Sequence, residues 1–405
     1  MNAPLTAPLL SAIEMAPRDP ILGVTEAFNS DPNPLKVNLG VGVYTDNAGR
    51  VPLLECVRRA ERIITERGAP HAYLPIDGIA AYDRAVQKLL FGADTEILRA
   101  GRVVTVQALG GTGGLKIGAD FLRMFAPGAH VWISAPSWEN HRVLFENAGF
   151  KVNTYPYYDA ATRGLDFAGM IAALEQVPAG AIVVLHACCH NPTGVDPSVE
   201  QWSRILEVVR ARAQVPFVDL AYQGFGESVD ADAAVVRAFA GTPGPLFVAS
   251  SFSKSFSLYG ERAGSLSIAA ADRDEGARVL SQVKRVVRGN YSSPPTYGAQ
   301  IVATILDSPE LWALWMQELG AMRERIRANR VALVDRLAYH VRGGDFRFVL
   351  EQRGMFSYSG LTRAQVDRLR SDFSVYAIES GRICVAALND RNIDYVAQAI
   401  AAVIT

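Results

Sequence analysis

The stretch PLFVASSFSKSFSLYGERAGSLSIAA, residues 245–270, joins two apolar runs through a polar turn. The runs PLFVASSF and AGSLSIAA predict two buried strands, because short apolar runs bounded by polar residues are typical of strands in a covered sheet. The turn carries Lys254, with hydroxyl groups at Ser251 and Ser253 and a guanidinium at Arg262. Removing an ammonium group from water is costly, so a lysine beside a buried strand indicates a chemical role.

Two chemistries are compatible with this turn. A desolvated lysine has a lowered pKa and attacks carbonyl carbons, while the hydroxyl groups and the guanidinium suit a phosphate. The letters SFSK also match the S-x-x-K signature of penicillin-binding enzymes, but the K-T-G motif that accompanies it is absent from the sequence. We therefore set the penicillin-binding interpretation aside.

The same strand pattern recurs outward from this stretch. The runs RVVTVQAL, HVWISAP, AIVVLHACC and VPFVDLAY alternate with the helical patterns GGLKIGADFLRMFA, ENHRVLFENAG and SVEQWSRILEVVRARA. Strands that alternate with helices indicate βαβ units, so we expect an α/β fold with a mostly parallel sheet sandwiched by helices.

The pattern changes after residue 309. Residues 309–341 form a long amphipathic helical pattern, followed by a helix in TRAQVDRLRSDF and a strand pair around VYAIESGRICVAAL. We expect an N-terminal arm and part of a small domain over residues 1–48, including a short strand in KVNLGVGVY. A large domain would cover 49–310, and a smaller α+β domain would cover 311–405.

Composition excludes several classes of protein. The 405 residues are 49% hydrophobic and 20% charged, which is ordinary for a chain with a large core. The formal charge of −1 argues against a nucleic-acid partner, and no apolar run approaches the roughly 20 residues of a membrane span. The four cysteines form no CxxC pair, which favours reduced thiols and a cytoplasmic location. ACCH at 187–190 lacks a second ligand pair at zinc spacing, so we expect no metal site.

Further polar clusters fall where the predicted strands end, which is where open α/β sheets bind ligands. They are the glycine-rich turn GGTGGLK at 110–116, Trp138, Asn191 in HNPTG, and Asp219 with Tyr222. Each has a structural alternative when taken alone: a turn without a ligand for GGTGGLK, core packing for Trp138, a plain turn for HNPTG, and an ion pair for Asp219. Together with Lys254, they call for a flat ligand with a phosphate, an amine-reactive carbonyl and a ring nitrogen opposite a carboxylate. Pyridoxal 5′-phosphate has all four features.

Longer motifs support this interpretation: DPILGVTEAF, CCHNPTG, DLAYQGFG, SFSKSFSLYGERAG, NYSSPP, QRGMFSYSGL and GRICVAALN. With these motifs the sequence resembles the class I pyridoxal-phosphate-dependent aminotransferases, and within them the aspartate/aromatic-amino-acid (tyrosine) branch. The resemblance runs from about residue 20 to about 389. It implies fold type I of the pyridoxal-phosphate enzymes and a homodimer with shared active sites. It also implies transfer of the amino group of tyrosine, phenylalanine or aspartate to 2-oxoglutarate by a ping-pong mechanism.

The resemblance implies a cofactor role for each matching residue. Lys254 would bind the cofactor and move protons, Asp219 would hold the proton on its ring nitrogen, and Trp138 would stack on its ring. Tyr222 and Asn191 would bond its phenolic oxygen. Its phosphate would be held by Gly111, Thr112, Ser251, Ser253 and Arg262, with Tyr73 of the other subunit.

It also implies substrate contacts. Arg382 would bind the α-carboxylate, and Arg288 of the neighbouring subunit would meet a side-chain carboxylate. Gly42, Trp138 and Asn191 would line the same pocket. Val51, Ala72 and Ser293 favour aromatic substrates because they are small or apolar, whereas Val43 and Thr45 are closer to the aspartate branch.

Two other functions remain open at this point. One is a lyase or decarboxylase that uses the same fold and cofactor, which Arg382 and Arg288 disfavour. The other is a binding protein without catalytic activity, which the full set of cofactor residues disfavours.

Overall fold

The computed structural model describes residues 9–16 and 22–405. Residues 1–8 and 17–21 of the expected arm lie outside the described residues, as does the start of the DPILGVTEAF motif.

The described residues form helices and strands that alternate through most of the chain. The α-helices are α1 Leu22–Ser30, α2 Glu55–Arg67, α3 Ala80–Phe91, α4 Glu96–Arg99, α5 Gly110–Phe125, α6 Glu139–Asn147, α7 Phe167–Gln176, α8 Val199–Ala211, α9 Ala234–Ala240, α10 Arg273–Asn290, α11 Tyr297–Asp307, α12 Pro309–His340, α13 Phe348–Glu351, α14 Arg363–Phe373 and α15 Ile393–Ile404. The strands are β1 Val37–Asn38, β2 Val103–Leu109, β3 His130–Ala135, β4 Lys151–Pro156, β5 Tyr158–Asp159, β6 Gly164–Leu165, β7 Ile182–His186, β8 Val215–Leu220, β9 Leu246–Ser251, β10 Ala263–Ala269, β11 Phe356–Tyr358, β12 Val375–Tyr376 and β13 Arg382–Cys384. Short 3₁₀ helices cover Leu9–Ala12, Ala231–Ala233 and Val385–Ala387.

A seven-stranded sheet in the order β2-β10-β9-β8-β7-β3-β4 forms the centre of the molecule. All neighbouring pairs from β9 to β4 are parallel, and β10 alone runs against its two neighbours. Every residue of β7, β9 and β10 is buried, because helices cover both faces of the sheet. The expected α/β fold with a mostly parallel sheet is confirmed. The edge strand β4 was not predicted, because its exposed residues alternate with buried ones and its apolar run is short.

Helix α5 lies unusually close to the sheet. A Cβ atom at Gly114 would come within 2.4 Å of the carbonyl oxygen of Ser265, in β10. A Cβ atom at Gly118 would come within 2.5 Å of the Phe217 ring, in β8. These glycines therefore allow the second and third turns of the helix to lie directly against the central strands.

One small two-stranded sheet joins the two ends of the chain, because β1 pairs with β12 in parallel. A second pairs β11 with β13 antiparallel within the C-terminal part, and a third pairs β5 with β6. The expected strand pair around VYAIESGRICVAAL is therefore wrong in its pairing: β12 and β13 both form, but each pairs with a strand from elsewhere. The strand expected over KVNLGVGVY is reduced to Val37–Asn38. The division into two domains stays a prediction.

Helix α12 links the large sheet to the C-terminal elements. Its Trp315 stacks on Phe256 with ring centroids 4.4 Å apart, and the Trp315 indole donates a hydrogen bond to the carbonyl oxygen of Ser255 at 2.8 Å. Further along, Asn329 donates to the carbonyl oxygens of Val385 and Leu388. This helix therefore fixes the turn that contains Lys254.

Two expectations from composition concern the whole chain. All four cysteines are buried and unpaired, as expected for reduced thiols. Among the described residues, no helix has the length and apolar character needed to cross a membrane.

Candidate active site

The predicted clusters meet at one edge of the central sheet. Because β2, β3, β7, β8 and β9 point in the same direction, the loops that follow them surround a single cavity of about 210 Å³. Its lining is Gly42, Gly111, Thr112, Leu115, Trp138, His186, Asn191, Asp219, Ala221, Tyr222, Ser251, Ser253, Lys254, Tyr259, Arg262, Phe356 and Arg382. The structure thus brings together all the predicted site residues except Tyr73 and Arg288.

Lys254 lies in the turn after β9 and borders the cavity. Its Nζ atom is 5.1 Å from the centre of the Tyr222 ring, and no carboxylate oxygen of the described residues lies within 4 Å of it. Burial lowers the pKa of Lys254 to about 8, against the opposing charge of Asp219 and with the help of Arg262 and Arg382. A substantial fraction of this amine is therefore uncharged and nucleophilic slightly above neutral pH.

Asp219 lies near the end of β8 and is buried. Burial acts to raise its pKa, but the hydrogen bond from His141 and the electrostatic influence of His141, His186 and Lys254 outweigh burial, so the pKa of Asp219 is lowered overall. The Nε2–H of His141 donates to Oδ2 of Asp219 at 2.9 Å, and Nδ1 of His141 is 2.9 Å from the hydroxyl of Ser137. The carboxylate is therefore ionised at the cavity wall and can bind a protonated ring nitrogen.

A row of histidines lies behind this carboxylate. His186 ends β7 and is directly opposite Asp219 in the sheet register. Neither of its ring nitrogens has a hydrogen-bond partner among the described residues, and burial lowers its pKa to about 3. His190 follows, 2.9 Å from the hydroxyl of Ser134. His141, His186 and Asp219 offer ligand atoms within 4.8 Å of one another. None of these three residues belongs to the ACCH motif at 187–190.

The start of α5 forms a cradle for an anion. The helix begins at Gly110, directly after β2, so GGTGGLK is its first two turns rather than the turn that was expected. No side chain caps it, which leaves N–H groups at its positive end available to an anion. Beside it, Nη1 of Arg262 donates to the hydroxyl of Ser253 at 3.2 Å. A Cβ atom at Gly110 would lie 2.4 Å from the Arg262 guanidinium.

Arg382 is on the opposite side of the cavity and only 1% exposed. It donates to Oδ1 of Asn191 at 3.0 Å and to the carbonyl oxygen of Gly40 at 2.7 Å, and its guanidinium lies over the Phe356 ring at 4.2 Å. Its Nε has no hydrogen-bond partner, and among the described residues no carboxylate lies within 4 Å. A buried guanidinium without an acid calls for an anionic ligand.

Several lining residues were not predicted from the sequence: Leu115, His186, Ala221, Tyr259 and Phe356, together with His141 behind the wall. His186 had a usable signal, because it ends a strand that neighbours the strand of Asp219. Phe356 had no such signal in the sequence, because its contact with Arg382 depends on the pairing of β11 with β13.

Tyr73 and Arg288 lie on the surface of the chain. Tyr73 is 96% exposed, and Arg288 is exposed in the last turn of α10, where it donates a hydrogen bond to the hydroxyl of Ser292. The residues expected to tune specificity, Val43, Thr45, Val51, Ala72 and Ser293, do not line the cavity of the single chain either.

Comparison with known proteins identifies relatives over nearly the whole chain. The model of the family "Aminotransferase class I and II" matches residues 34–400. The chain is 61% identical to an aspartate aminotransferase of Pseudomonas aeruginosa over 396 residues, 98% of this chain and 100% of the relative. It is 50% identical to an aromatic-amino-acid aminotransferase of Escherichia coli over 386 residues, 95% of this chain and 97% of the relative.

Solved structures show the same likeness. An aromatic-amino-acid aminotransferase of Burkholderia pseudomallei, covalently bound to pyridoxal phosphate, superposes with a TM-score of 0.96 at 65% identity, covering 98% of this chain and 100% of the other. With a family model that matches nearly its whole length and relatives of this identity, the chain belongs to the class I and II aminotransferases.

Proposed function

We propose that the protein transfers the amino group of dicarboxylic and aromatic L-amino acids to 2-oxoglutarate, with pyridoxal 5′-phosphate held at the cavity described above. The single observation that carries the proposal is the cavity itself. Around one space it places Arg382, which is buried and has no acid partner in the part of the chain that the structure describes, an amine of lowered pKa, and an ionised buried carboxylate. Relatives at 50–61% identity are named aspartate, tyrosine and aromatic-amino-acid aminotransferases, which supports both substrate classes.

The residues around the cavity fit three separate groups of this cofactor: its phosphate, its ring nitrogen and its aldehyde carbon. The uncapped start of α5 with Ser251, Ser253 and Arg262 suits a phosphate dianion. Asp219 suits a protonated pyridine nitrogen, and Lys254 suits an aldehyde carbon. Asn191 accepts from Arg382 through its oxygen, so its amide hydrogens are free to donate into the cavity. Trp138 would stack on the ring.

When bound, pyridoxal phosphate supplies an electron sink for the bond that breaks at the substrate Cα. Arg382 binds and orients the substrate α-carboxylate, since it faces the cavity with its charge uncompensated. Lys254 acts as the general base that removes and returns the proton at Cα, for which a pKa of about 8 is well suited. Asp219 stays ionised and keeps the ring nitrogen protonated, and His141 holds the carboxylate in position.

A homodimer with shared sites completes the proposal. Tyr73 and Arg288 are exposed and outside the cavity of their own chain, which supports their action in the site of a second copy. Tyr73 would reach the cofactor phosphate there. Arg288 would pair with the distal carboxylate of aspartate or glutamate, and it would turn away when an aromatic side chain binds.

A single-turnover experiment tests amino transfer against lyase or decarboxylase chemistry. The enzyme with its cofactor is mixed with glutamate, whose 2-oxo acid does not lose carbon dioxide spontaneously, and no acceptor is added; the products are then quantified. We expect one 2-oxo acid per active site, with no free ammonia and no carbon dioxide. Release of ammonia would indicate a lyase and release of carbon dioxide a decarboxylase. If no product forms at all, the protein is a binding protein.

A further inference from the structure

A second cavity lies away from the catalytic one. It has a volume of about 400 Å³ and shares no lining residue with the catalytic cavity. We call it the arginine cleft; the charged residues of its lining are Arg323, Arg327, Arg330, Arg353, Glu227 and Glu351. Its four arginines outnumber its two glutamates.

Three of these arginines come from one face of α12. Arg323, Arg327 and Arg330 are four and three residues apart, which places their side chains next to one another on a helix. Arg323 donates to the carbonyl oxygen of Gly224 at 3.0 Å, and Arg327 to that of Gly226 at 3.1 Å. The guanidinium groups are thus held at the mouth of the cleft before any ligand arrives.

Arg330 forms the floor of the cleft and is 3% exposed. It donates to the carbonyl oxygens of Val349, Gly354 and Phe356, and among the described residues no carboxylate lies within 4 Å of it. Burial lowers the pKa of Arg330 only to about 10, so it is charged at neutral pH. Its hydrogen bonds go only to neutral carbonyl groups, and Asp196 acts on it from more than 4 Å away, so part of its charge is left for a ligand to balance.

Three glutamates, Glu227, Glu324 and Glu351, offset most of the charge of the four arginines. Glu227 is 3.2 Å from Arg327 and 3.4 Å from Arg353. Glu324, outside the lining, reaches Arg327 at 3.1 Å and Nε of Arg323 at 3.5 Å, and that Nε is buried without a hydrogen-bond partner.

We propose that the arginine cleft binds a compact dianion, a phosphate or a small dicarboxylate, between α12 and the segments that carry Glu227 and Arg353. Guanidinium groups pair with both kinds of anion in the same two-pronged geometry. A bound dianion would displace Glu227 towards solvent and bridge the arginines in its place.

The test is calorimetric titration of inorganic phosphate into the enzyme with its cofactor bound, so that the cradle at α5 is already filled. Low salt is used because screening weakens such binding. We expect saturable binding with a Kd of about 1 mM or tighter. Arg327→Gln and Arg353→Gln should each weaken it about tenfold. Arg336→Gln, on the same helix but paired with Asp394 outside the cleft, is the matched control and should leave it unchanged.

Glu227→Gln gives a result of opposite sign. Removing this competing carboxylate should tighten phosphate binding several-fold, which a merely structural arginine cluster would not show. A parallel titration with succinate shows whether the cleft prefers a phosphate or a dicarboxylate. For each anion, only the binding that is lost in the Arg327 and Arg353 variants is assigned to the cleft. The proposal is overturned if neither anion binds at concentrations up to about 10 mM. It is also overturned if the wild type and both cleft variants bind the anion equally, because the anion would then be bound in the catalytic cavity. Circular dichroism verifies that each variant is folded.

Discussion

Lys254 is the residue whose ionisation controls loading of the cofactor. Its pKa is lowered to about 8, chiefly by burial, and only the uncharged amine attacks a carbonyl. In protein freed of cofactor, the rate of covalent attachment should therefore rise with pH through about 8 and level off above it. Borohydride trapping at a series of pH values, followed by peptide mapping, measures this rate.

The label itself identifies the amine. Lys254→Ala serves as the control and should take up no label. A rate that keeps rising tenfold per pH unit to about pH 10 would indicate a lysine with an ordinary pKa, and a label on a different lysine would exclude the assigned role.

Asp219 affects the chemical step more than cofactor retention. Asp219→Asn keeps the shape of the side chain and removes its charge, so the ring nitrogen would lose its proton while the phosphate contacts at Ser251, Ser253 and Arg262 remain. We expect the single-turnover rate to fall by about 10³-fold, with a much smaller change in cofactor dissociation. Stopped-flow absorbance and equilibrium dialysis measure the two quantities. A single-turnover rate close to that of the wild type would refute the role.

At the residue scale, the sequence predicted the charged residues of the site better than the residues that hold them in position. Lys254 and Asp219 could be chosen because a charge next to an apolar strand needs a reason, whereas Arg382 was named only through the resemblance. His141 could not be chosen in this way, because a histidine in the first turn of a helix is unremarkable until α6 packs it against the end of β8. The exposed Tyr73 and Arg288 were named only through the resemblance.

At the scale of elements, the start of α5 depends on its glycines. Gly110 has φ of +68°, and a Cβ atom there would meet the Arg262 guanidinium. Gly110→Ala should therefore cost roughly 1–2 kcal/mol of stability through backbone strain and weaken cofactor binding by displacing Arg262.

Gly128→Ala is the matched control, because it has no neighbour within 4 Å and no positive φ. We expect its stability to change by less than about 0.5 kcal/mol. Urea unfolding measures the stability of the two variants, and cofactor dissociation constants measure their binding. If Gly110→Ala and Gly128→Ala change both quantities equally, the assigned role of Gly110 in the anion cradle is wrong.

The helices and strands that could be predicted are those whose residue pattern lies within one continuous stretch of the sequence. The six strands named from apolar runs all belong to the central sheet, and the helix over residues 309–341 is α12. Pairing was not predictable in the same way. β12 and β13 are close in sequence, but they pair with β1 and β11 because the N-terminal segment and β11 lie beside them in the fold.

At the scale of the whole molecule, the proposal requires two chains for each complete site. Lys254→Ala and Arg288→Ala proteins should each be poor catalysts with aspartate. A hybrid of the two contains one site with both residues intact, so mixing under conditions of subunit exchange should restore activity. Mass spectrometry verifies the hybrids, and verified hybrids without recovered activity would show that Arg288 acts in its own chain or not at all.

The most direct test of the central claim is kcat/KM for aspartate and for phenylalanine, each with 2-oxoglutarate as acceptor. We expect both to be substrates, because Arg382 serves the α-carboxylate that they share. Arg288→Ala should depress the value for aspartate strongly and that for phenylalanine little. If the wild-type value for phenylalanine falls below that for aspartate by more than about four orders of magnitude, roughly 5.5 kcal/mol of discrimination, the dual specificity is wrong; if neither amino acid reacts, amino transfer at this cavity is wrong as well.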